Sequence, residues 1–259
     1  MKIIKKAVKL ILPYGIVRLY REYKNFKNTP TSDISKKGFD IILSVGIACR
    51  PAYHLTKCGL RYCSSPLDWM MSYSLKTIVH LFETKFDDFF GEFVKWRSSS
   101  GFQNGHFMDK RNNIVSLHYP YLADDNTRFK EMMQNRFYKI DYILRHSKHI
   151  AFISNRGEDI SKFEQFLLSM NTLYPVKMTY INIRNNNSLK DISLNEKQVT
   201  RKLKIMEYEC NDEHPNGTDE KVNRMFWIGN SESWEKILKE FVIKRKNNFL
   251  RYLINKYIR

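Results

Sequence analysis

From residue 150 onward the chain alternates, and that alternation most narrows the folds open to it. Ile150-Ala-Phe-Ile-Ser is an apolar run of strand length, and residues 159–170 carry a helical pattern. Lys177-Met-Thr-Tyr-Ile-Asn-Ile and Leu203-Lys-Ile-Met-Glu-Tyr are again of strand type. Short apolar runs bounded by turn residues mark buried strands, whereas apolar residues three and four apart mark helices. Strands separated by helices pair in parallel through crossovers, so the expected class is α/β, with a mostly parallel sheet.

The same grammar reads upstream. Ile41, Ile42, Leu43 and Val45 form a strand-like run ahead of Gly46, and a helix is expected over 51–57, stopped by Gly59. Leu75, Ile78, Val79 and Phe82 share one face of a helix over 72–82, and a further helix is expected over 87–95. Residues 98–106 read as loop and 113–118 as a strand. Phe129, Met132, Met133, Phe137, Ile140 and Leu144 are spaced for a helix over 126–145. The Asn-rich stretch 184–202 reads as a loop, 225–229 as a short strand and 233–243 as a last helix. Hydrophobic residues make up 42% of the 259, which is enough to build a core and excludes disorder for most of the chain.

The net charge of +17 raises the question of an acidic partner. Residues 1–27 hold eight Lys/Arg and one acid, and residues 235–259 hold eight and two; together they take +13 and leave +4 on the 207 residues between. Both ends interleave their charge with apolar residues: Ile3, Ile4, Val8 and Leu10 in one, Phe249, Leu250, Leu253 and Ile254 in the other. The expected organisation is a basic amphipathic segment at 1–27, a linker at 28–38, an α/β domain at 39–243 and a basic amphipathic tail at 244–259. Such ends suit an anionic membrane surface. No zinc finger, RNA-recognition signature or helix-turn-helix pattern accompanies the charge, so nucleic acid is not the expected partner.

No uncharged apolar run reaches membrane-spanning length, and the N-terminus lacks a signal-peptide cleavage pattern. A cytoplasmic setting is therefore expected, peripheral to the inner face of the membrane if the ends bind it. The four cysteines, Cys49, Cys58, Cys63 and Cys210, are too few for a disulfide scaffold. Cys58 and Cys63 have half the spacing of a zinc site, but no second Cys/His pair follows, so no metal is expected. Neither Gly-x-Gly-x-x-Gly nor a Walker sequence occurs, so no cofactor is expected.

Chemistry concentrates in Leu43-Ser-Val-Gly-Ile-Ala-Cys-Arg-Pro-Ala. A strand ends, Gly46 permits a tight turn, and Cys49 stands where the next helix begins, with Pro51 suited to its first turn. The unpaired N–H groups and positive dipole end of a helix favour an anion, which lowers a thiol pKa and can hold an oxyanion. Arg50 adds a neighbouring positive charge. A cysteine nucleophile needs a base, and His118, at the end of the predicted strand 113–118, is the leading candidate, with His106 next. Asn155, after the strand that starts at Ile150, and Asp68, in Ser64-Ser-Pro-Leu-Asp-Trp, compete to orient that base. Asp68 could equally cap a helix, with Trp69 as a core anchor.

At these residues the chain resembles a known family. Ser44-Val-Gly-Ile-Ala-Cys-Arg-Pro-Ala, Leu60-Arg-Tyr-Cys-Ser-Ser-Pro-Leu-Asp-Trp, Phe86-Asp-Asp-Phe-Phe and Val115-Ser-Leu-His-Tyr-Pro are similar to the bacterial domain family catalogued as papain-like cysteine peptidases. Val45 and Leu67 depart mildly from its usual Leu and Phe. Trp234 matches its tryptophan before the last helix. The resemblance covers roughly residues 39–243; it implies Cys49 as nucleophile and His118 as base, and makes papain-like α+β the alternative fold. The strand–Gly–x–x–Cys–helix entry is nonetheless closer to a nucleophile elbow than to a papain-type nucleophile. Ile11-Leu-Pro-Tyr-Gly-Ile-Val-Arg-Leu-Tyr resembles leader segments on enzymes of surface-polysaccharide assembly, which implies a sugar or lipid-linked glycan as acceptor rather than a peptide. The expected function is a cysteine hydrolase or acyltransferase. The alternative is a non-catalytic membrane-surface or glycan-binding component of polysaccharide assembly.

Overall fold

Four consecutive parallel strands carry the domain. In the computed structural model, which describes residues 36–98, 101–219 and 221–244, these are β2 (Ile41–Ser44), β7 (His149–Ser154), β8 (Lys177–Asn185) and β10 (Leu203–Cys210), hydrogen-bonded in that order. β9 (Ser193–Thr200) closes the far edge antiparallel to β10. The register aligns Ser44 with Ile153 and Ser154 with Asn182, so the strand ends line up in a row.

Side chains alternate across this sheet, and each face has its own cover. Ile41, Leu43, Ile150, Phe152, Met178 and Tyr180 face α2 (Leu75–Glu83), α3 (Asn126–Arg145) and α4 (Ile160–Leu173). Ile42, Ala151, Ile153, Ile181 and Ile183 face α1 (Arg50–Lys57) and α5 (Ser231–Leu238) through Leu55, Trp234, Ile237 and Leu238. Coverage on both faces is why the central strands read as unbroken apolar runs. The class is α/β, with helices on both sides of a mostly parallel sheet.

A second, antiparallel sheet is inserted between β2 and β7. It orders β3 (Met70–Met71), β6 (Ile114–Ser116), β5 (Gly101–Asp109) and β4 (Phe93–Ser98). Two short strands, β1 (Lys37–Phe39) and β11 (Phe241–Ile243), pair in parallel. Residues 36–244 make one compact unit. The basic segment 1–27, most of the linker and all but the first residue of the tail lie outside the described residues.

Several local expectations are corrected. Residues 87–95 are not a helix: Phe86 and Phe90 take positive φ, and the Phe90 N–H donates to Asp109 Oδ2 at 2.7 Å, giving an aromatic turn that leads into β4. The predicted loop at 98–106 is largely β5. The polar stretch 184–202 contains the end of β8 and all of β9, an edge strand exposed along most of its length, which explains its lack of an apolar pattern. Residues 226–228 form a 3₁₀ turn rather than a strand, and the last helix stops at Leu238 before β11. Lys37 and Gly38, assigned to a linker, belong to β1.

Candidate active site

The turn after β2 aims a cysteine at a histidine from the second sheet. Val45 still pairs with β7, its N–H donating to Ile153 O at 2.8 Å; the chain then breaks at Gly46 and enters α1 with Cys49 as its N-cap residue. Gly46 is required by crowding: a Cβ there would stand 2.5 Å from Pro51 Cγ and 3.0 Å from Asn155 Oδ1. β6 ends at Ser116 and releases His118 to the surface. The Cys49 Sγ and His118 Nε2 are 3.4 Å apart. The Trp69 ring meets the His118 ring edge-on, with centroids at 5.5 Å.

The electrostatics correct one expectation. The helix N-terminus predicts a lowered thiol pKa, but burial pushes the Cys49 thiol up to about 11, with the residue's own N–H opposing and the Asp68 charge adding. Dehydration of its ring, with a further contribution from His106, pushes His118 below its ordinary value. Both shifts favour uncharged partners, so the resting pair is thiol and neutral imidazole. Arg50 does not lend its charge to the thiol either. Its Nη1 donates to Asp212 Oδ2 at 2.5 Å and its Nε to Trp227 O at 2.7 Å.

Of the two candidate orienting groups, neither hydrogen-bonds His118. Asp68 is almost fully buried, and its Oδ2 accepts from the Ser65 N–H at 2.8 Å and from Arg61 Nε at 3.0 Å and Nη2. It caps its own turn, and Ser74 caps α2. Asn155 lies across from Gly46, and its Oδ1 is buried without a hydrogen-bond partner. His54, one turn after Cys49, is a core residue: it stacks on Trp234 at 4.6 Å, and its Nε2 lies 2.9 Å from Ile228 O. No group of three His, Cys, Asp or Glu among the described residues is placed to hold a metal.

Arg156 went unrecognised in the sequence. Buried at the end of β7, it donates from Nε to Val45 O at 2.8 Å and from Nη2 to Tyr73 O at 2.8 Å, and it pairs through Nη1 with Glu158 at 2.8 Å. It ties the strand leading to Cys49 to the segment that follows Trp69. Nothing in Asn155-Arg156-Gly157 distinguishes it from a surface arginine; its carbonyl partners are remote in sequence.

A thiol and an imidazole in contact at the ends of a strand–turn–helix and a β-strand define a cysteine-hydrolase type of site. The chain belongs to the family described as "Putative papain-like cysteine peptidase", whose profile matches residues 40–173. The match includes Cys49, Asp68, His118 and Asn155, and ends before Trp234, so it is shorter than the resemblance read over 39–243. An uncharacterized protein of Acanthamoeba polyphaga mimivirus is 42% identical over 53 residues, 20% of this chain and 23% of that protein. The chain thus spans less than a quarter of that curated relative. No solved structure matches.

Proposed function

We propose that this domain is a cysteine-nucleophile hydrolase or acyltransferase in which Cys49 attacks a carbonyl carbon and His118 is its base. The 3.4 Å separation of Sγ and Nε2 carries the reading, because a base must stand within hydrogen-bond reach of the proton it takes. As the Sγ–C bond forms, the thiol proton passes to Nε2 and the carbonyl pair collects on oxygen near the first N–H groups of α1. Collapse expels the leaving group, which takes the proton from His118 and leaves a thioester. Water, or an acceptor hydroxyl or amine, then gives its proton to His118 and releases the acyl group from Cys49. A glycan acceptor in surface-polysaccharide assembly is the finer reading; it rests on the leader resemblance alone.

Iodoacetamide at pH 7 should alkylate Cys49 faster than Cys58, Cys63 or Cys210, and His118→Ala should slow Cys49 alone by about 10²-fold or more, the range for loss of a positioned base. Cys49→Ala should abolish any acyl transfer. Equal, slow alkylation of all four cysteines, unchanged by His118→Ala, would leave the domain as a non-catalytic binding component.

A further inference from the structure

The face of α1 that carries Cys49 continues into an aromatic wall. Cys49 has helical backbone angles, and the Tyr53 N–H donates to Cys49 O at 3.0 Å, so the two side chains stand one helical turn apart on the same face. The Tyr53 ring meets the Trp227 ring edge to face, with centroids at 5.4 Å. Trp227 comes from the far end of the chain and is held by its backbone. Arg50 Nε donates to Trp227 O at 2.7 Å, and His54 Nε2 lies 2.9 Å from the next carbonyl, Ile228 O. The matched family region ends at residue 173, so Trp227 lies outside that match.

Both rings are only half-buried, and neither belongs to an apolar core, whereas Trp234 on the other side of α1 is fully buried. The open apolar surface extends past them: Met225, two residues before Trp227, is 47% exposed, and Ile47, two residues before Cys49, is 43% exposed. The charges beside the wall are spent on each other. Arg50 pairs with Asp212, and Lys57, one turn after Tyr53, pairs with Glu235. An open aromatic pair whose neighbouring charges are neutralised selects a neutral ligand. Aromatic rings gain from edge and face contacts beyond the area they cover, whereas alkyl groups gain from area alone.

Resting on the reading of Cys49 as nucleophile, we infer that Tyr53 and Trp227 form a substrate subsite for a neutral aromatic ring carried by the acyl group. The leaving group takes its proton from His118, which reaches Cys49 from the second sheet. The wall belongs to the helix of Cys49, so the ring it holds belongs to the part that stays on the sulfur. One helical turn rises about 5.4 Å, which sets the spacing between thiol and wall. A two-carbon spacer between carbonyl and ring spans that distance, and an acetyl group ends short of it.

Three esters of one leaving group test this in the full-length chain: p-nitrophenyl acetate, 3-phenylpropanoate and 3-cyclohexylpropanoate. Each acylates a thiol in the same way: the Sγ–C bond forms, p-nitrophenolate leaves with the bonding pair, and the thiol proton goes to His118. The measured quantity is the p-nitrophenolate burst rate that Cys49→Ala removes, divided by the rate of the same ester with free cysteine. The phenylpropanoate should exceed the acetate by about tenfold or more, and the cyclohexyl ester by about twofold or more, the surplus of an aromatic contact over area. Trp227→Ala and, separately, Tyr53→Ala should lower the phenylpropanoate rate about fivefold more than the acetate rate, and Trp227→Phe should keep part of the preference. Equal loss on both esters would make the pair a support for α1 and overturn the subsite. A wild-type chain without the phenylpropanoate preference, or with the cyclohexyl ester equally fast, overturns it too. A wild-type chain with no Cys49-dependent burst on any ester overturns the Cys49 reading itself.

Discussion

At Cys49 two neighbouring influences oppose each other, and burial outweighs the helix terminus. A helix N-terminus stabilises an adjacent charge by about 0.3–1 kcal/mol, up to about 2 in favourable sites. A shift of one pKa unit corresponds to about 1.4 kcal/mol. Raising the thiol from 9.0 to about 11 therefore requires a larger, opposite contribution, and drying of the sulfur supplies it. Cys49 thus needs His118 to take its proton, and acylation should follow the neutral imidazole. Dehydration lowers His118, so its neutral form predominates at pH 7, and the rate should fall as pH drops below 6.5. A stopped-flow burst measured from pH 4 to 9 checks this; a rate still climbing steeply from pH 7 to 9 would mean that free thiolate, unaided by His118, is the nucleophile. The motif around Cys49 and the strand-end position of His118 were legible in sequence. The direction of the thiol shift was not, because dehydration comes from residues packed around Cys49 in three dimensions.

Among the elements, α1 is fixed at its start and its middle by groups far along the chain. Arg50 at its start reaches Asp212, whose Oδ1 accepts from Trp234 Nε1 at 2.8 Å. His54 in its middle stacks on Trp234 and faces Ile228 O. Burial pushes the His54 pKa down to about 4, so His54 is neutral in the fold and protonates only after losing its contacts. Between pH 6.5 and about 4 the unfolded chain binds this proton and the folded chain does not, so stability falls as pH drops through that window. His149, also lowered to about 4, acts in the same direction. His54→Asn should flatten the dependence of the urea midpoint on pH between 6.5 and 4.5, while costing stability at pH 7. An unchanged pH slope would show that His54 does not carry it. The helices and parallel strands themselves were legible, because two-sided burial writes long apolar runs. β4, β5 and β9 were not, because their stability comes from strand partners rather than from a periodic pattern of their own.

Over the whole molecule, chemistry and charge fall in different regions. The matched family region and the Cys49–His118 pair lie within residues 36–244, whereas +12 of the +17 charge sits in residues 1–27 (+7) and 245–259 (+5). No helix among the described residues is long and apolar enough to cross a membrane. If the ends bind an anionic surface, the full chain should sediment with phosphatidylserine vesicles in 0.05 M salt and be released at about 0.5 M, where screening shortens the reach of exposed charge. Equal sedimentation with neutral vesicles would remove that proposal.

The sequence by itself determined the α/β class, the strand–Gly–x–x–Cys–helix turn and a short set of candidate partners, because these follow from local periodicity and from what each residue's backbone allows. Tertiary structure alone decided which histidine meets Cys49, what Asp68, Arg50 and Asn155 touch, and that Arg156 lies beneath the site. Those contacts join residues up to 177 positions apart, as between Arg50 and Trp227, and no local pattern encodes a distance in space.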